Sequence, residues 1–320
     1  MTAVGVLCIE PLFLTETVMR RLLACLLCLF LAPIALAEPA NANHVAADAR
    51  WYVHLDVDAA KKTVLFDQLL TAFKAQIPID EIVNTLKTNI GVNPLTDISG
   101  ITIYNNSFEK DVAAIVVYAK IDAALLNSAL ANNPDYKETE YKNHMLLGWT
   151  DNNDGKHKNG CFYRDGMVLM ADKIETLKWE VDVLDGAKPA GSSLVKAPVK
   201  GTFLNAAAEL GRSDDPNIAH VLSATEASTA SVGETDGKLH LAVHLAAQSP
   251  EQALQIKKIL DGLAAFGQLA TRELPAATEV IKQFNVTAEG NKVEATLVHD
   301  SKTLLQTLQE IDQQKKAQKQ

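Results

Sequence analysis

The segment Leu239–Ala246 sets Leu239, Leu241, Val243 and Leu245 alternately with His240, Ala242 and His244. Alternation of period two is the mark of a strand with one buried face, because successive side chains point to opposite sides of a sheet. Trp51–Val57 repeats it, with Trp51, Val53, Leu55 and Val57 on one side and Tyr52, His54 and Asp56 on the other. Between such segments the period changes. Leu65, Phe66, Leu69, Leu70, Phe73 and Ile77 fall at helical spacing, Pro78 ends the run, and Ile79–Ile90 resumes it. Strands interleaved with helices make this an α+β chain.

The remaining punctuation extends the pattern. Ile101–Tyr104 and Val112–Ala119 read as strands, and Asp122 as the N-cap of a helix over Ala123–Leu130. Strands follow around Met145–Trp149 and Gly160–Tyr163. Arg164-Asp165-Gly166 turns the chain into Met167–Ala171, and Asp172 opens a helix over Lys173–Leu184 with Gly186 beyond it. After the Pro-, Gly- and Ser-rich stretch Lys188–Ala197 the order resembles itself. Gly201–Leu204 reads as a strand, Asn205–Leu210 as a short helix, and Ala224–Val232 and Leu239–Ala246 as a hairpin across Thr235-Asp236-Gly237. Ser249-Pro250-Glu251-Gln252 starts a long helix, and Phe284–Ala288 with Lys292–Val298 forms a hairpin before a last helix. Arg164-Asp165-Gly166 followed by Asp172 matches Glu289-Gly290-Asn291 followed by Asp300, which suggests an internal duplication. The expected fold is therefore two tandem similar halves, each a ferredoxin-like antiparallel sheet with helices on one face. The expected boundaries are a leader at 1–37, a linker at 38–48, a first repeat at 49–187, a linker at 188–198, a second repeat at 199–312 and a disordered tail at 313–320.

The leader is read from Met19-Arg20-Arg21, the apolar run Leu22–Ile34 and Ala35-Leu36-Ala37 before Glu38. A basic start, a short apolar core and a small-residue cleavage site make a signal peptide, with translation starting at Met19 as an alternative. Export to the periplasm or the medium follows, and the run is shorter than the roughly 20 residues a bilayer requires. No stable membrane span is expected after cleavage. Of four cysteines only Cys161 stays in the exported chain, which leaves no internal disulfide and a small buried residue as its default role.

The net charge of −9 argues against nucleic acid or an anionic membrane as partner, since phosphate binding needs a surplus of Lys and Arg. With 48% hydrophobic and 22% charged residues the chain can build a core.

Thr150–Gly160 (TDNNDGKHKNG) is the densest set of possible ligands. A calcium loop with Gly155 as its central glycine would begin at Thr150 and end at Cys161, neither of which is an acid. The stretch therefore reads as a turn between two strands. His54, Asp56 and Asp58 share a side if the first strand continues, a metal-compatible set that also fits a plain polar face. His240 and His244 lie about 13 Å apart on a strand, too far for one ion. Nucleophile-elbow, zinc-protease, Walker and dinucleotide motifs are absent, which favours a non-enzymatic protein and leaves catalytic and metal residues unassigned, with no cofactor. In a ferredoxin-like unit the first strand is central, so Tyr52, His54, Tyr104 and Tyr118 would form an open-face platform for a ligand or partner, or pack on the second repeat.

Asn93–Tyr104 (NPLTDISGITIY) resembles a stretch in a family of uncharacterised secreted bacterial proteins that reads roughly D-P-x-x-D-[LI]-x-G-[IV]-T-[LI]-Y. The resemblance implies secretion and fold and brings no activity or site. The expected function is an exported binding or interaction protein of the bacterial envelope, its partner an unidentified protein or small molecule, with self-association open to it. A hydrolase or metal-dependent enzyme, and a carrier of an apolar ligand, are the alternatives.

Overall fold

The computed structural model describes residues 39–109, 112–133, 135–151, 155–197, 199–210, 225–272, 275–307 and 310. The leader and the tail lie outside the described residues. The strands are β1 (Trp51–Asp56), β2 (Ile98–Asn105), β3 (Ala114–Ala119), β4 (Lys137–Tyr141), β5 (His144–Thr150), β6 (His157–Arg164) and β7 (Met167–Ala171) in the first half. The second half adds β8 (Thr202–Glu209), β9 (Thr225–Thr235), β10 (Lys238–Ala247), β11 (Phe284–Glu289) and β12 (Lys292–Asp300). The helices are α1 (Val57–Ala60), α2 (Val64–Lys74), α3 (Ile79–Ile90), α4 (Pro94–Asp97), α5 (Ala123–Leu130), α6 (Ile174–Leu184), α7 (Pro250–Ala270) and α8 (Pro275–Lys282), with residues 301–307 also helical.

All twelve strands form one sheet in the order β11-β12-β10-β9-β8-β1-β2-β3-β7-β6-β5-β4. Every neighbouring pair is antiparallel. This order corrects the expected ferredoxin-like halves. A ferredoxin-like unit would place another strand between two strands joined by a helix, whereas here β1-β2-β3 and β8-β9-β10 are neighbours in sequence order. Three successive strands run as a meander, a helix follows, and a hairpin then returns to the third strand. The halves meet edge to edge, Trp51–Leu55 pairing with Leu204–Ala208, rather than face to face.

The helices also cover both faces instead of one. Register puts Tyr52, Ala207, Thr229 and His244 on one face and Leu55, Val53 and Leu245 on the other. On the first face Leu177 and Val181 of α6 pack over Tyr104, Val116, Leu146, Cys161 and Leu169. On the opposite face Val57, Phe66, Leu70 and Ile79 of α1–α3 pack against Leu55, Ile101 and Phe203, and Ala253 and Ile256 of α7 pack on Val243, Val286, Val293 and Ala295.

The expected linkers are built into the fold. Val45 and Ala46 are fully buried, Ala46 bridges to Ala190, and Gly191 donates to the Val45 carbonyl at 3.1 Å. Both segments thus close the first face. In place of the expected helix over Asn205–Leu210, Asn205–Glu209 form the second part of β8. Its alanines favour helix, but hydrogen bonding to β1 and β9 on both sides outweighs a preference of tenths of a kcal/mol per residue. Close approach of β8 and β9 needs glycine: a Cβ on Gly233 would lie 2.5 Å from the Gly201 carbonyl oxygen.

Several local readings hold. The Asp122 carboxylate accepts from Ala124 and Leu125 N–H, and the Ser249 hydroxyl accepts from Gln252 N–H. Thr150 pairs with His157, so TDNNDGKHKNG connects β5 to β6, with Gly155 at φ +67° and Asn152–Asp154 outside the described residues. Asp172, expected to cap α6, instead pairs with Lys158 at 2.6 Å, and α6 has no side-chain cap.

Candidate functional site

Tyr52, His54, Tyr104 and Tyr118 do come together on one face, as the alternation places them. Tyr52 stands opposite Tyr104, His54 opposite Thr102, and Gly100 opposite Tyr118. The face is closed. All four side chains are buried, His54 and Tyr104 completely, under α6 and the segment around Val45. The expected open platform is therefore a core layer, and the half-buried face of β1 is the one carrying Trp51, Val53 and Leu55.

Each polar group in this layer finds a partner with two exceptions. His54 Nδ1 lies 2.8 Å from Thr102 Oγ1. His44 Nδ1 lies 2.9 Å from the Tyr118 hydroxyl, and its Nε2 faces the Arg164 guanidinium at 3.2 Å and the Asn41 amide at 3.3 Å. Because Arg164 can only donate, Nε2 accepts and Nδ1 carries the proton. Burial, then the Arg164 charge, holds His44 below its ordinary pKa.

The exceptions are Glu180 on α6 and Tyr104 on β2. Glu180 is 0% exposed, and among the described residues neither of its oxygens nor the Tyr104 hydroxyl has a hydrogen-bond partner. Burial pushes the Glu180 carboxyl well above the carboxylate range. Burial, then the Glu180 charge, pushes the Tyr104 phenol up as well. Cys161 is held at about 12 by burial, then by Glu180 and Asp185, so its thiol is inert at neutral pH. The group can hold a proton, but it is sealed from substrate as it stands. Sequence reading missed Glu180 although the signal was there: it follows Leu177 by three and precedes Val181, inside the apolar stripe of α6.

The His54, Asp56 and Asp58 set does not converge. Asp56 accepts from Ala59 N–H at 2.7 Å as the cap of α1, and Asp58 pairs with Lys61 at 2.9 Å. His240 and His244 point to the exposed side of β10. Among the described residues no group of three His, Cys, Asp or Glu side chains can hold a metal ion, and no helix is long and apolar enough to cross a membrane.

The feature that meets solvent is α7. Leu254, Ile259, Leu263, Phe266 and Leu269 of this helix are 53 to 68% exposed. Isolated surface hydrophobics are ordinary, but five on one helix form a patch of the kind that marks an interaction site. Its buried side, Ala253 and Ile256, is what holds it to the sheet. The strength of the α7 pattern is legible in sequence, but its direction is not, because Ile256 and Leu260 inward and Ile259 and Leu263 outward are equally apolar.

The sequence matches no family model and no curated protein. Two crystal forms of the protein TP0453 are similar in shape. Form III has 9% identity and a TM-score of 0.46 over 86% of this chain and 99% of that one. Form I has 9% identity and a TM-score of 0.42 over 86% and 97%. A likeness at this level carries no argument about what this chain does.

Proposed function

We propose that this chain is an exported, non-enzymatic interaction protein of the bacterial envelope, and that α7 is the surface through which it acts. The set of exposed apolar residues on α7 is the observation that carries this reading. Export rests on the Met19–Ala37 pattern alone. The closed layer around Glu180 and Tyr104 supports a structural rather than catalytic role for the polar groups in the core. We further propose that the halves are two copies of one unit. Order β1-β2-β3-β7-β6 in the first parallels β8-β9-β10-β12-β11 in the second, with the β4–β5 hairpin as an insertion.

The test is a photo-crosslinking residue at position 266, compared with one at exposed Lys137 on β4, in cells exporting the whole chain. Adducts specific to position 266 are expected, on protein whose N-terminus is Glu38. Equal labelling at the two positions would remove α7 as the working surface. Protein recovered with an intact leader would remove export.

A further inference from the structure

The face of the sheet opposite α7 carries a feature of its own in the second half. Alternation puts Ser231, Gly233 and Thr235 of β9 and Lys238, His240 and Ala242 of β10 on the face that α6 covers in the first half. The chain leading into β8 laps onto it. A Cβ on Gly233 would lie not only against the Gly201 carbonyl but also 2.8 Å from Thr202 Cα, and a Cβ on Gly201 would lie 2.7 Å from Thr235 Oγ1. The turn over 199–202 therefore rests directly on β9, and the Thr202 hydroxyl fixes it by donating to the Val199 carbonyl at 2.6 Å. Between this turn and β10 lies an open depression of about 510 Å³.

We infer that this depression binds a small soluble phosphate ester. Its charged groups are Lys200 from the turn, Lys238 and His240 from β10, and one acid, Asp236. Among the described residues no ion pair engages Lys200, Lys238 or His240. Asp300, which register places opposite Lys238, directs its carboxylate instead to the Thr303 N–H and hydroxyl at 2.9 and 3.0 Å. Lysine binds phosphate as a point charge, so cations from both walls can share the oxygens of one tetrahedral group, with the Ser231 and Thr235 hydroxyls as further donors. The volume falls within the roughly 300–1,000 Å³ of small-molecule sites, which leaves room for more than the anion itself. Val199, 67% exposed, and Ala242 give the rest of the ester an apolar wall. The net charge of −9 disfavours an anionic bilayer as the source of the phosphate. The site goes beyond the α7 reading and does not depend on it.

Titration calorimetry of the exported chain with glycerol 3-phosphate tests this. One saturable site with a Kd of about 1 mM or tighter is expected, with inorganic phosphate weaker and glycerol silent. Lys200→Gln and Lys238→Gln should each weaken binding about tenfold, the loss of one charge-assisted contact. Lys292→Gln, on the same face but outside the depression, should leave it unchanged. None of the three should shift the melting temperature, since all three side chains are exposed. The absence of saturable binding, inorganic phosphate as tight as the ester, or equal weakening by all three substitutions overturns the inference. Vesicles of phosphatidic acid separate the other source of the same chemistry: retention on them without binding of the soluble ester replaces it by a lipid head group and overturns the inference as well.

Discussion

Glu180 is the residue whose chemistry is furthest from its surroundings. Its carboxyl is fully buried with neither oxygen hydrogen-bonded among the described residues, so the neutral acid is the form the fold accepts. The sign of the pH effect follows. A carboxyl whose folded pKa lies above the unfolded value of 4.5 binds its proton more tightly when folded. Its contribution is fully present below pH 4.5 and is lost as pH rises from there toward the folded pKa. His44 works in the opposite direction: its folded pKa lies below 6.5, so its contribution is present above pH 6.5 and is lost as pH falls below it. Glu180→Met keeps the length of the chain and removes the unpaired oxygens. It should raise stability at pH 7–8 by about 1–3 kcal/mol and flatten the decline on the alkaline side, leaving the acid-side loss through His44 in place. Urea unfolding of both proteins from pH 4 to 9 checks this, and a Glu180→Met protein less stable than its parent at pH 8 would mean the carboxylate has a partner there. The alternation of β1 was plain from sequence, but not which side is covered. Tyr52, His54 and Asp56 look like the wet side until Thr102 and the α1 backbone are seen to supply partners.

At the level of elements, α2 shows how the second half completes the first. The leading N–H groups of a helix have no partner within it and carry partial positive charge. Here Glu234 of β9 accepts from Val64 N–H at 2.6 Å and Leu65 N–H at 2.9 Å, and the Thr63 hydroxyl accepts from Phe66 N–H at 3.1 Å. Ser301 Oγ, at the start of the helical residues 301–307, donates to the same Glu234 carboxylate at 2.7 Å. Glu234→Ala should cost about 1–2 kcal/mol, which for a chain of this size lowers the melting temperature by roughly 3–6 °C. Glu226→Ala, on an exposed position of the same strand, should shift it by less than about 1 °C. Differential scanning calorimetry distinguishes the two, and equal shifts would assign the carboxylate no role at α2. Capping by the residues next to a helix, as at Asp122 and Ser249, is readable from sequence. A cap supplied from 170 residues away is not, because nothing local encodes it. The same holds for β8, whose alanines speak for a helix until two flanking strands take up its backbone. The free edge at β4 is guarded locally, by Lys137, Glu138 and Glu140.

For the whole molecule, the two halves that look separable in sequence share one sheet. Links between them include the β1–β8 ladder, Phe203 in the core beneath α1–α3, and the Glu234 cap. A boundary at 188–198 is legible because Pro, Gly and Ser gather there, but composition reports chain flexibility and not what the neighbouring strands pair with. If the sheet is one unit, cutting the connection removes only the covalent tether. A protease site placed between Lys196 and Lys200, cut after folding, should leave a complex that elutes as one species and unfolds in a single transition. Separately expressed halves should fail to fold, because β1 and β8 would each become a long unpaired edge and α1–α3 would lose Phe203 from their core. Calorimetry of the cut protein checks this directly. Two resolved transitions, or a half that melts cooperatively alone, would restore two independent domains, and a single transition fixes the folding unit of this chain as the twelve-stranded sheet.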